Sequence, residues 1–303
     1  MAFTAKDVQA LREKTGCGMM DCKKALTECD GNMDAAVDYL REKGLASQAK
    51  KASRVAAEGA VAAIAENGVG VVLEVNTETD FVASNDEFKS FVNKAAEIVA
   101  KTNPADVEAL LASKGDDGKT VDELKQEIFL KFRENIQVRR FVRYEGHVVT
   151  YVHAGGKIGV MVKFDTDVAD KDGFVAMGKN VAMQIAAMNP AYLDEASVPA
   201  EVIEKEKEIM IAQMKEDPKM ANKPEQVLAK IVDGKIGKYY KENCLVDQQY
   251  VIDGEMTVGK YVESVAKELG GSIKIVSFVR YEKGEGIQKK EDDFAAEVAS
   301  MIK

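Results

Sequence analysis

Val69-Gly-Val-Val-Leu-Glu-Val-Asn76 and Ile158-Gly-Val-Met-Val-Lys-Phe-Asp165 are two copies of one short β-rich string, and their alignment decides how the chain divides. Each copy follows a Gly-containing turn and another β-rich segment, so each reads as the second strand of a hairpin. Each is followed by a helical stretch of equal length that stops at the same dipeptide, Phe88 to Asn103-Pro104 and Phe174 to Asn189-Pro190. Phe141-Val-Arg-Tyr-Glu145 then recurs as Phe278-Val-Arg-Tyr-Glu282, a third strand for each sheet. The pattern predicts an α+β protein with a duplicated core, each unit a hairpin, helical material and a closing strand in a small antiparallel sheet.

The copies differ in two places, and those differences locate what was added to the shared scaffold. Pro104 and Phe141 are 37 residues apart, whereas Pro190 and Phe278 are 88 apart. The excess contains an apolar stripe of Val202, Ile203, Ile209, Met210 and Met214. A second stripe, Val227, Leu228, Ile231 and Val232, comes after the Asp217-Pro218 and Lys223-Pro224 connection. These predict a helical hairpin over residues 196–245, packed on itself as a coiled coil and projecting as an arm. The other difference is small: Asn76 to Phe88 is 12 residues and Asp165 to Phe174 is 9. The three additional residues fall in Thr77-Glu-Thr-Asp-Phe-Val-Ala-Ser-Asn-Asp86, which sets Phe81 in a polar strand-to-helix connection. Phe81 reads either as a core residue at a strand end or as an exposed contact; the insertion favours the second. Asp80 beside it stands where a carboxylate accepts backbone N–H bonds at a helix start, which would fix the loop around Phe81.

Three short helices precede the duplicated units. Thr4 and Asp7 form an acidic capping box before a helix with Val8 and Leu11 on one face, and Gly16 and Gly18 end it. A second helix runs from about Met19 to Cys29, and a third from about Met33 to Lys43, where Gly44 ends it; Lys50 to Arg54 links this bundle to the first duplicated unit. Met19 and Met20 are adjacent helical positions, so at least one faces outward. The domains expected are 1–54, 55–145, 146–195 with 246–282, the arm at 196–245, and a C-terminal module at 283–303. That module carries a helix with Phe294, Val298 and Ile302.

Composition excludes several function classes. With 303 residues, 46% of them hydrophobic, the chain has material for more than one core. Its net charge of −9 excludes a basic protein that coats nucleic acid. Met1 to Asp7 lacks the apolar run of a secretory signal, and no segment reaches the ~18 apolar residues of a membrane span, so a cytoplasmic protein is expected. Cys17, Cys22, Cys29 and Cys244 make no Cys-x-x-Cys pair, and only His147 and His153 could help them, so neither a disulfide framework nor a metal site is expected. Asp80 has no second acid or histidine nearby for hydrolysis, and Gly155-Gly156 is followed by no phosphate-loop lysine. No enzyme activity and no cofactor are expected.

Glu74-Val-Asn-Thr-Glu-Thr-Asp-Phe-Val-Ala83 resembles the loop signature of the elongation factor Ts family, the nucleotide-exchange factors of the translational GTPase elongation factor Tu. Leu11-Arg-Glu-Lys-Thr-Gly-Cys-Gly-Met-Met-Asp-Cys-Lys-Lys-Ala-Leu26 resembles that family's N-terminal motif, and the likeness continues through Gly284-Glu-Gly-Ile287. Thr77, Ser84, Phe132 and Arg133 depart from the usual pattern; at Arg133 many relatives carry glycine. The resemblance implies a UBA-like N-terminal bundle and a guanine-nucleotide exchange factor acting in translation elongation. It implies that Thr79, Asp80, Phe81 and Val82 enter the partner near its Mg2+ and nucleotide, with Phe81 displacing the loop that holds the phosphates. It also implies that Arg12, Met19 and Met20 bind the nucleotide domain of elongation factor Tu, that His153 is a second insertion contact, and that the C-terminal helix touches the partner. The complex is left open between one-to-one and two-to-two. The rival from another class is an adaptor that binds a protein through its N-terminal bundle. A cysteine-dependent enzyme using Cys17 or Cys22 ranks last, for want of an activating histidine.

Overall fold

A computed structural model describes residues 3–216 and 223–288; the expected C-terminal helix and the tip of the arm lie outside them. Strands β1 (Glu58–Glu66), β2 (Val69–Thr77) and β3 (Gln137–Glu145) form one antiparallel sheet in that order. Strands β4 (His147–His153), β5 (Ile158–Thr166) and β6 (Ile273–Glu282) form the second. The duplication reaches fine detail. Both middle strands carry a bulge at the same place in the repeat, between Glu74 and Val75 and between Lys163 and Phe164. The paired helices, Asp86–Thr102 and Phe174–Met188, both end on an asparagine in the left-handed region, Asn103 at φ 47° and Asn189 at φ 45°. The proline after each forbids continuation.

Each helix covers one face of its sheet, Phe88, Phe91, Val92 and Val99 over Val71, Leu73 and Val75, and Met177, Val181 and Ile185 over Val160, Val162 and Phe164. The remaining faces stack on each other through Val61, Val72 and Met161, all buried. Glycine at the same repeat position makes that stacking close. A Cβ on Gly70 would stand 2.6 Å from the Met161 sulfur and 2.8 Å from Val148, and one on Gly159 would run into Val61. Because both its faces are covered, β2 opens with an unbroken apolar run from Val69 to Leu73 rather than an alternating one.

The N-terminal helices are α1 (Ala5–Thr15), α2 (Met19–Glu28) and α3 (Met33–Lys51). The Thr4–Asp7 capping box forms as expected, and Gly16 closes α1 at φ 69°. The third helix corrects the sequence reading: it passes through Gly44 and ends at Lys51, so Lys50 and Lys51 are its last turn rather than a link. Gly44 is buried against Leu130, whose side chain a Cβ would strike. The glycine serves close helix packing there, at a cost of about 1 kcal/mol in helix propensity. Burial keeps the Cys17 and Cys22 thiols neutral by pushing both pKa values up, and drives Cys244 up to about 11. Cys29 is half-buried.

Ala200–Glu216 and Glu225–Asn243 form the helical arm. Its seam joins Ile203, Met210 and Met214 to Leu228, Ile231 and Val232, and adds Ile211, Ile236 and Tyr240. Ile209 and Val227, expected in the stripe, are exposed. Each sits about 100° of helix rotation from a seam residue, and the seam takes the narrower set. Directly after the arm, Leu245 is buried in the second core and its N–H donates to Tyr192 O at 2.9 Å.

Excising residues 200–242 behind a flexible Gly/Ser linker should therefore leave a soluble, cooperatively unfolding protein. Extending the cut through Leu245 should cost about 2–5 kcal/mol in urea denaturation, the usual range for deleting a core leucine. An aromatic disulfide reagent at pH 7.5 should modify Cys29 in the native protein, and Cys17, Cys22 and Cys244 only after denaturation. Rapid titration of all four would contradict the burial described.

Candidate functional site

The connection in which the first copy exceeds the second by three residues contains a single helical turn, α4 (Asp80–Ser84), instead of an open loop. Thr79 is its N-cap and accepts from the Val82 N–H at 3.4 Å; Ser84 Oγ donates to Asp80 O at 2.7 Å. Val82 and Ala83 turn inward and are buried, Val82 within the first core. One helical step away, Phe81 turns outward and is 85% exposed, which settles against its reading as a core residue. Asp80 does not fix the turn as expected: its side chain is exposed and forms no hydrogen bond among the described residues. As first helical residue it lies beyond the cap position, and Thr79 holds that position.

The fixing carboxylate comes from far along the chain. The helix Val121–Phe132 is closed by Arg133 in the left-handed region, φ 57°, which is the conformation a glycine adopts without strain. The adjoining Glu134 accepts from Thr77 Oγ1 at 2.8 Å, Thr79 N at 3.0 Å and Thr79 Oγ1 at 2.6 Å. In return Glu78 accepts from Asn135 N at 2.7 Å and pairs with Arg54 at 3.3 Å. The buried Asn135 amide donates to Ala52 O at 3.2 Å and Arg54 O at 2.8 Å. Arg133 pairs with Asp21 of α2 at 2.7 Å, and Lys51 donates to Arg133 O. One polar turn thus joins the Phe81 segment to the helices that carry the other candidate contacts.

Met19 and Met20 are 53% and 74% exposed, so both face outward, while Cys22, Ala25 and Leu26 fill the inner face of α2. Arg12 is exposed on α1. His153 ends β4, exposed, with its Nδ1 3.0 Å from Tyr151 Oη. The turn after it is pinned to β1 by a Val61 N–H bond to Gly156 O at 2.8 Å. Helix α4 packs against β1 as well, so the Phe81 turn and the His153 hairpin are both carried on one strand. His147 begins β4, at the far end of that strand from His153.

Sequence reasoning missed Glu134, Asn135 and Glu78. A polar Glu134-Asn135 pair between Phe132 and Ile136 marks a turn, but nothing local tells which segment it faces. Among the described residues, no group of three or more His, Cys, Asp or Glu could hold a metal ion, and no helix is long and apolar enough to cross a membrane.

A family model described as Elongation factor TS matches residues 78–285, a span that begins at the Phe81 turn and includes its brace. Elongation factor Ts of Syntrophotalea carbinolica is 50% identical over 308 residues, with all of both chains covered. That of Clostridium perfringens is 51% identical over 304 residues, covering 99% of each. That of Nitratiruptor sp. is 50% identical over 310 residues, again with both chains fully covered. With a turn, a duplicated scaffold and a full-length likeness in agreement, the chain belongs to the elongation factor Ts family of translation elongation factors.

Proposed function

We propose that this chain is a guanine-nucleotide exchange factor for elongation factor Tu in the cytoplasm, that it speeds GDP release without making or breaking a covalent bond, and that GTP binding to the partner displaces it. The observation that carries this reading is Phe81: a large apolar side chain, 85% exposed, on a turn whose neighbours are buried and hydrogen-bonded. An apolar group held out in water on a fixed support gains by entering a partner, and the family relation supplies the partner. The Thr79 to Val82 turn enters near the partner's Mg2+, while Arg12, Met19 and Met20 grip its nucleotide domain and His153 makes a second insertion. The expected domain division, from the 1–54 bundle to the 283–303 module, serves to spread these contacts over the partner.

Magnitudes show why several contacts are needed. Burying Phe81 is worth about 1.5–3 kcal/mol. Raising GDP release ~10,000-fold needs about 5.5 kcal/mol of preference for the distorted partner. The bundle and the β4–β5 hairpin must supply the remainder. By reciprocity, whatever factor weakens GDP on the partner weakens the exchange factor equally when GDP is bound.

The test is release of fluorescent GDP from purified elongation factor Tu with and without this protein. Phe81→Ala should lower the stimulated rate at least tenfold while stability in urea shifts by no more than ~0.5 kcal/mol, as for other surface changes. Asp80→Asn should also leave stability unchanged, because the carboxylate has no hydrogen-bond partner among the described residues, and its activity loss should be smaller than that of Phe81→Ala. A wild-type protein that leaves GDP release unaltered would sink the exchange reading and favour an adaptor that binds through the exposed Met19–Met20 end of its bundle.

A further inference from the structure

We propose that Glu134 is a positioning residue for Phe81, a role that rests on the exchange reading above and adds to it a residue that acts through the Phe81 turn. Glu134 is half-buried, and among the described residues its partners are two hydroxyls and one backbone N–H, with no cation. A carboxylate only accepts, so every hydroxyl that meets it must turn its single proton toward it. Thr79 Oγ1 therefore points its proton at Glu134, 2.6 Å away, and turns its lone pairs toward the Val82 N–H that it caps. In this way Glu134 sets the orientation of the N-cap hydroxyl of α4.

The turn is too short to hold itself. One helical turn carries the full entropic cost of nucleation and almost none of the return from propagation. Val82 anchors its inner side, but Phe81 is exposed, and its direction follows from how the turn is capped. Glu134 can serve as a fixed point because its own backbone is locked. Arg133 is left-handed and paired with Asp21, and Asn135 is buried and bonded to Glu78, Ala52 and Arg54. The same brace thereby ties the direction of Phe81 to the end of α2 that presents Met19 and Met20.

The chain contains no tryptophan, so Phe81→Trp places a single indole at the site and lets positioning be read without any partner. In that background Glu134→Ala should at least double the amplitude of the fast component of the indole's anisotropy decay, with the circular dichroism unchanged. Glu134→Gln, which keeps one oxygen acceptor but must set its NH2 against either Thr79 Oγ1 or the Thr79 N–H, should restore only part of the order. With Phe81 present, Glu134→Ala should slow stimulated GDP release about tenfold and Glu134→Gln by an intermediate factor. In the Phe81→Ala background, Glu134→Ala should slow it no further, as for two residues acting through one contact. An unchanged indole anisotropy, or losses that simply multiply, would overturn the proposal. If Glu134→Ala does not fold, Thr79→Val removes the oriented hydroxyl from the other side and is held to the same criteria. If wild-type protein fails to release GDP, the exchange reading falls, and the anisotropy arm still decides whether Glu134 positions residue 81.

Discussion

Two small sheets can lie face to face only if something lets their backbones approach, and here that is a glycine in each copy of the repeat. Gly70 and Gly159 occupy the same repeat position and leave room for Met161, Val148 and Val61. With Val72 buried between the layers, each sheet has one face left for its helix, and a four-layer order of helix, sheet, sheet, helix results. The stacking also brings the β4–β5 turn of the second unit onto β1 of the first, through the Val61–Gly156 bond. That meeting sets Phe81 and His153, which belong to different copies, on the support of one strand.

On this scaffold the polar groups serve position. Glu74, completely buried at the bulge of β2, pairs with Arg139 at 3.0 Å and Arg140 at 2.6 Å and accepts from the Gly284 N–H at 2.7 Å. It holds the Gly284–Gly286 turn, where the chain leaves the second sheet, against the first. Such a buried group is no sign of extra stability, yet breaking it costs on the order of 3–5 kcal/mol, because a charge is stranded. Glu134 works differently: its partners are neutral, and what it sets is the direction of a hydroxyl and of the turn which that hydroxyl caps. The two carboxylates of the first unit fasten different segments, Glu74 the turn at Gly284 and Glu134 the turn at Thr79.

Selective exposure comes from the same arrangement. Val82 and Ala83 are buried while Phe81, one step away, is not, and Cys22 and Leu26 are buried while Met19 and Met20 are not. Apolar side chains that remain in water forgo roughly 1.5–3 kcal/mol each, and on the proposed function that energy is released when a partner covers them. Bracing matters because a contact that must first be ordered loses part of that gain to entropy.

Local and repeated features were legible in the amino-acid string. The duplication, the capping box at Thr4, the asparagine helix ends before Pro104 and Pro190, the arm's pairing helices and the excess residues around Phe81 each rest on neighbours a few positions apart. Single-residue signals with two local meanings were not. Gly44 looks like a helix stop and is a packing site for Leu130; Ile209 and Val227 look like seam residues and lie outside it. Asp80 looks like a cap, and the bracing carboxylate is Glu134, more than fifty residues from the threonines it holds. Periodicity, caps and repeats are properties of the chain's own backbone geometry and survive in a one-dimensional reading. Which side chain meets Thr79 is decided only when the helix Val121–Phe132 and β2 come together, because hydrogen bonds and close packing act over a few ångströms in space and carry no trace of their separation along the chain.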